Sequence, residues 1–132
     1  MAYRIEITAT LDIDAPKGEV LKFLRKSGAV FCLTSALQYY DAYFWDPSIC
    51  VYSSDEKVLE ELRKFREGNL EVNIYEPDLL LKENTVTMDS VKLTSEVRTI
   101  IDFPRALEFR PMDEQILRSL PTIVGNWAVL ST

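Results

Sequence analysis

Between Ser48 and Tyr75 the chain carries the pattern that most narrows what it can become. Ser48 to Tyr52 is short, apolar and β-branched, which reads as a buried strand. Ser53-Ser54-Asp55-Glu56 then fits a capping box, with the Ser53 hydroxyl and Glu56 carboxylate serving each other's backbone donors. Val58, Leu59, Leu62 and Phe65 recur at helical spacing, and Gly68 is placed to end that helix. Leu70, Val72 and Ile74 next alternate with Glu71 and Asn73 as a second strand. Strand, helix and strand in so short a run predict a βαβ crossover with parallel neighbouring strands. The expected class is therefore α/β, with a mixed α+β arrangement still open. The architecture is a single domain over residues 1–132, with a mixed sheet, a central βαβ unit and short flanking helices.

The flanks supply further elements. Tyr3, Ile5, Ile7, Ala9 and Leu11 alternate with Arg4, Glu6, Thr8, Thr10 and Asp12, the mark of a strand with one wet face. Asp14 is placed to cap a helix with Pro16 in its first turn, Val20, Leu21 and Leu24 as its buried stripe and Gly28 as its stop. Residues 29–33 read as a short strand, and Thr34 as the cap of a helix running to Phe44. Glu76-Pro77-Asp78 makes a turn, residues 79–84 a loop, and Thr85–Leu93 holds at least one strand. A helix over Ser95–Phe103 follows, stopped by Pro104. Pro111 and Asp113 lead into a helix over Glu114–Leu120, and Trp127–Leu130 reads as an edge strand or a tail against the core. No internal repeat or long linker divides the chain.

Composition removes several classes of function. With 21 acidic and 15 basic residues the net charge is −6, the wrong sign for unaided nucleic-acid binding. Only Arg63-Lys64-Phe65-Arg66 is locally basic, and its place at a helix C-terminus suits the helix dipole. There is no histidine, and Cys32 and Cys50 sit apart in apolar surroundings. The usual zinc sites and imidazole triads are thereby excluded, and no metal or cofactor is expected. Gly18, Gly28, Gly68 and Gly125 are isolated, so no phosphate or dinucleotide loop is present. Met1-Ala2-Tyr3-Arg4-Ile5-Glu6 lacks the form of a signal peptide, and the apolar runs are shorter than a membrane span. A cytoplasmic protein with reduced thiols is expected.

Three groups remain as candidate sites. Arg98 and Asp102 are four apart on one helix and can pair, either as a structural salt bridge or as part of a recognition spot. In the second reading Thr94, Ser95 and the helix's free backbone donors would meet an anion or a partner's carboxylate. Asp46, Asp55, Glu76 and Asp78 lie near the ends of the βαβ strands, where α/β proteins place their sites. Neither Leu70–Tyr75 nor Thr85–Leu93 supplies the Glu-x-Lys pattern of restriction-type nucleases. Tyr39, Tyr40, Tyr43, Phe44 and Trp45 are too many aromatics for one buried helix face, so some are expected to be exposed or to meet a partner.

Two resemblances bear on these residues. Leu11-Asp12-Ile13-Asp14-Ala15-Pro16, leading into Glu19-Val20 and Phe23-Leu24, resembles the opening strand and helix of the START/polyketide-cyclase superfamily. That family would next need a long run of antiparallel strands and a long C-terminal helix, and it implies an apolar ligand. From Phe31 to Leu120 the chain resembles AbiEi-type antitoxin regulators of type IV toxin–antitoxin systems. Phe31-Cys32-Leu33-Thr34-Ser35-Ala36-Leu37 is similar to that family's "Leu-Thr-Gly-x-Ala", with Ser35 for glycine. The βαβ unit follows in order. Leu93-Thr94-Ser95-Glu96-Val97-Arg98-Thr99-Ile100-Ile101-Asp102 is similar to "Val-Ser-Ser-Pro-Glu-Arg-Thr-Leu-Ile-Asp". Glu96 and Val97 depart from it, while Arg98, Thr99 and Asp102 agree.

The resemblance implies the effector domain without the winged helix that binds an operator. The leading expectation is a non-enzymatic domain that binds another protein, or itself. Its contacts would be Tyr39, Tyr43, Trp45, Thr94, Ser95, Arg98 and Asp102. The alternatives are an unusual Mg²⁺-dependent nuclease built on Asp78 and a START-like ligand binder.

Overall fold

The computed structural model describes residues 5–40 and 46–106. The βαβ unit forms as its pattern demands. Strand β3 (Ile49–Tyr52) and strand β4 (Leu70–Tyr75) pair in parallel, with Ile49 opposite Val72 and Tyr52 opposite Tyr75, and α3 (Glu56–Arg63) crosses between them. Around this pair the sheet grows to six strands, with β1 (Ile7–Ile13), β4, β3, β2 (Val30–Phe31), β6 (Val91–Thr94) and β5 (Thr85–Met88) side by side in that order. Strand β1 (Ile7–Ile13) lies antiparallel to β4. The two-residue strand β2 (Val30–Phe31) is antiparallel to β3 and parallel to β6 (Val91–Thr94), and β5 (Thr85–Met88) closes the far edge as a hairpin with β6. The fold is α/β with a mixed sheet.

Both faces of the sheet are covered, which explains why all four residues of β3 are buried. Ile49 and Val51 face α1 (Lys17–Ser27) and α3, packing with Val20, Leu24, Val58, Leu62, Val72 and Ile74. Cys50 and Tyr52 face the other way, toward α2 (Leu33–Tyr40) and α4 (Glu96–Arg105), among Leu37, Tyr75, Ile100 and Phe103. The parallel β3–β4 pair and the four short helices take the place of the antiparallel run that a START-like chain would need. Among the described residues no helix is long and apolar enough to cross a membrane.

Several boundaries differ from expectation, each for a local reason. Helix α1 is capped by Pro16 with no side-chain bond, and Asp14 stands outside it, its N–H donating to the Arg66 carbonyl at 2.8 Å. Its far end does close on Gly28, left-handed at φ 79°. Helix α2 starts at Leu33 rather than after Thr34. The buried Leu33 takes φ 49°, and the Cys32 carbonyl accepts from the Ser35 and Ala36 N–H groups. Its expected continuation to Phe44, like the expected elements beyond residue 106, lies outside the described residues. Pro104 falls within the last turn of α4, which ends one residue later at Arg105.

The capping box also shifts by two residues. Asp55 is the cap of α3, accepting from the Lys57 N–H at 3.0 Å, while the Ser53 hydroxyl only accepts from the Asp55 N–H. Asp55→Ala should cost about 1 kcal/mol in urea unfolding and Ser53→Ala clearly less. Equal losses would return the cap to Ser53.

The sequence signal read as a helix stop at Gly68 has a different origin. Helix α3 already ends at Arg63, and residues 66–68 run beside the end of β1. The Gly68 N–H donates to the Asp12 carbonyl, and a side chain at 68 would strike the Asp14 backbone.

Candidate functional site

Tyr52 is the last residue of β3, and Asp78 stands three residues beyond β4. Because these strands are parallel, both residues emerge at the same end of the sheet, where α/β folds place their sites. Helix α4 begins over this end. Its cap Ser95 accepts from the Arg98 N–H at 3.2 Å, and the next turn carries Asp102. The pairing read from the i, i+4 spacing is present: Arg98 Nε donates to Asp102 Oδ1 at 2.7 Å.

The pair belongs to a larger set. The guanidinium also holds both carboxylate oxygens of Asp78, through Nη1 to Oδ1 at 3.3 Å and through Nη2 to Oδ2. Arg98 Nη2 donates to the Tyr52 hydroxyl at 3.2 Å, and that hydroxyl donates to Asp102 Oδ2 at 2.8 Å. The guanidinium carbon lies 5.3 Å from the Tyr52 ring centre, close enough for a cation–π attraction. Arg98 is 4% exposed and Asp102 is fully buried, so this is not the solvent-facing bridge of small worth.

Charge balance explains the ionisation of the group. Burial opposes the Arg98 charge, but bonds to Asp78, Asp102 and Tyr52 outweigh it and hold its pKa above the ordinary value. Burial pushes the Asp102 carboxyl up, against the downward pull of Arg98 and of the Tyr52 hydroxyl. The Tyr52 phenol is also held well above its usual range, first by burial and then by neighbouring Cys32 and Asp102. One cation thus serves two carboxylates, and the phenol keeps its proton as a donor.

The hydroxyls next to this network are equally engaged. Thr94 is fully buried, its Oγ1 2.6 Å from Thr99 Oγ1, and its carbonyl accepts from the Tyr40 hydroxyl at 2.7 Å. Burial and the nearby Glu96 raise the Tyr40 phenol to about 12. Thr94, Arg98 and Asp102 were expected as contact residues on a helix start. The structure sets them beneath the surface, so any contact they govern is made by the segments they hold. Ser95 is half-buried and occupied as a cap. Tyr39 packs its ring against Phe31, centroids 6.4 Å apart, while Tyr43, Phe44 and Trp45 lie outside the described residues.

The four acids considered for a metal are not brought together. Asp46 Oδ1 accepts from the Ser48 N–H at 2.6 Å, Asp55 caps α3, and Glu76 accepts from the Thr8 hydroxyl. Asp78 gives both oxygens to Arg98, so a cation already sits where a metal would bind. Among the described residues no three His, Cys, Asp or Glu side chains are grouped to hold a metal ion. Both thiols are buried and free. Burial lifts Cys50 to about 11 despite hydrogen bonds from Thr34 and Asn73, and it also holds Cys32 well above the usual thiol range, so neither is a nucleophile at neutral pH.

Sequence reasoning weighed Asp78 only as a metal ligand and did not weigh Tyr52 at all. The signal that joins them is topological: both leave neighbouring parallel strands at the end where a helix carrying an arginine begins. Compared with known proteins, the chain matches no family model, no curated protein and no solved structure.

Proposed function

We propose that the chain is a non-enzymatic protein-interaction domain, of the kind that forms the effector part of AbiEi-type antitoxin regulators, acting in the cytoplasm on a protein partner or on a second copy. One observation supports this reading above others. The parts of the chain that carry the resemblance, α2, the βαβ unit and α4, meet through hydrogen bonds. Ser35 Oγ accepts from the Cys50 N–H at 2.9 Å, the Tyr40 hydroxyl reaches the Thr94 carbonyl, and Tyr52 joins Asp102 and Arg98. These bonds hold α2, β3 and α4 in register, and Arg98 adds the loop after β4 through Asp78.

The same bonds weigh against a reaction. Asp78 and Asp102 are both engaged by Arg98, and the phenol and thiols stay protonated. The net charge of −6 also argues against direct nucleic-acid contact.

The test is co-expression with a nucleotidyltransferase-type toxin encoded next to this chain. Restored growth, together with a complex measurable by calorimetry between the purified proteins, is the expected result. Failure of both would remove the antitoxin reading. Mg²⁺-dependent cleavage of nucleic acid that is lost in Asp78→Ala would replace it with the nuclease.

A further inference from the structure

A recess of about 380 Å³ lies between the loop after β4 and the strands β2, β5 and β6. Its apolar part is formed by Val30, Pro77 and Leu81. Its polar part carries Lys82 and Lys92, both exposed, in a chain whose net charge is −6. Among the described residues neither lysine is in an ion pair. The hairpin explains how they come together. Lys92 stands opposite Thr87 in the β5–β6 register, so both side chains leave the same face of the sheet. Lys82 opens the short helical turn Lys82–Asn84 that leads back into β5.

Two ordinary roles do not account for these cations. Lys92 Nζ comes within 3.8 Å of where a Cβ on Gly28 would stand, beside the end of α1. The last carbonyls of α1 already accept from the Gly28 and Ala29 N–H groups, so that helix end does not need Lys92 as a partner. Asp78 is the acid on the recess wall, and Arg98 already holds both its oxygens. Arg98 also serves Asp102, so these three groups together carry one negative charge. Two ammonium groups stand against it, which leaves a surplus of one positive charge. Glu83 and Asp89 are exposed neighbours along the chain but do not line the recess.

That balance selects the ligand. A dianion exceeds the local charge, a neutral molecule leaves both ammonium groups unused, and a monoanion matches. A carboxylate has two oxygens to share between two such donors, with the Thr87 hydroxyl on the same wall. The apolar part then takes the body of the molecule, and the volume falls at the low end of small-molecule sites. We propose that this recess binds a small organic monocarboxylate. Its carboxylate sits between Lys82 and Lys92, and its apolar body lies against Val30, Pro77 and Leu81. The site goes beyond the interaction reading and does not depend on it.

Benzoate titrated into the full, isotope-labelled chain and followed by amide NMR tests the site. The shifts should saturate and centre on Gly28, Thr87 and Lys92. Acetate lacks the apolar body and benzamide lacks the charge, so each should bind at least about tenfold more weakly. Lys82→Ala/Lys92→Ala should weaken benzoate at least about tenfold and leave thermal unfolding unchanged, because both side chains are exposed. Lys64→Ala, at the end of α3, should change nothing. Shifts that never saturate, that scatter over Arg63, Lys64 and Arg66, or that survive the double variant would each overturn the proposal. Benzamide binding as well as benzoate, or phenyl phosphate binding more tightly, would overturn the charge argument and the proposal with it. A tetraglutamate peptide that binds at these lysines where benzoate does not would overturn it in favour of a protein contact.

Discussion

Arg98→Ala should lower the unfolding free energy by about 3–5 kcal/mol, measured by equilibrium urea denaturation. The loss comes from what stays behind. Asp102 is fully buried beside the Tyr52 hydroxyl, and without the guanidinium no cation faces it. Asp78, freed from Nη1 and Nη2, would release the loop that it anchors. Arg98→Lys should recover part of the loss, because an ammonium restores the charge but not the fork that reaches Asp78, Asp102 and Tyr52 together.

The pH dependence has a definite sign. The Asp102 carboxyl is already raised by burial in the wild type, and removing Arg98 takes away the main force lowering it. For an acid whose folded pKa lies above its unfolded value, the stabilisation is complete below the unfolded pKa. It is lost as pH rises through the folded pKa. Arg98→Ala should therefore be least damaging in the acid range where Asp102 is protonated, and most damaging at neutral pH. A loss that grows toward low pH would contradict this account of the network.

Gly68→Val is the second large effect, expected to cost about 3 kcal/mol, the upper end for overpacking. A Cβ at 68 would lie 2.5 Å from the Asp14 nitrogen and 2.7 Å from its Cβ, and would also strike the Asp14 Cα. Two of these three atoms are backbone, so no rotamer change relieves the clash. Residues 66–68 would have to leave the end of β1, giving up the Asp14-to-Arg66 and Gly68-to-Asp12 hydrogen bonds. A melting temperature lowered by on the order of 10 °C in calorimetry is the expected reading. An unchanged one would show that the turn moves freely.

These two residues show which information was legible along the chain. The strand periods through Ile7–Leu11 and Leu70–Tyr75, the parallel crossover and the Arg98–Asp102 pair all depend on neighbours close in sequence, and all were readable. Asp78 reaches Arg98 from a loop with no period, and the Tyr52 hydroxyl reaches Asp102 from the end of a strand, so neither contact leaves a trace in spacing. Gly68 looks like a helix stop because glycine serves both as a stop and where two backbones meet, and only the packing against Asp14 separates the two. The β5–β6 hairpin turns on Asp89 and Ser90, both left-handed at φ 50° and 66°, which signal a turn less openly than Asn-Gly does. Cap positions moved for a related reason: several hydroxyls and carboxylates compete near each helix start, and tertiary contacts choose among them.

Strand β2 has only two residues, yet it joins the β1-β4-β3 half of the sheet to the β6-β5 half. Its pairing with β3 bridges a moderate length of chain, whereas Phe31 opposite Leu93 closes a much longer loop. The β5–β6 hairpin and the βαβ unit each form from nearby residues, whereas the β2–β6 seam and the β1–β4 pairing, with Ile7 opposite Tyr75, must wait for distant segments to meet. The β2 seam is the narrower of the two, so a change at the buried Phe31 is expected to slow refolding as well as to lower the stability of the finished sheet.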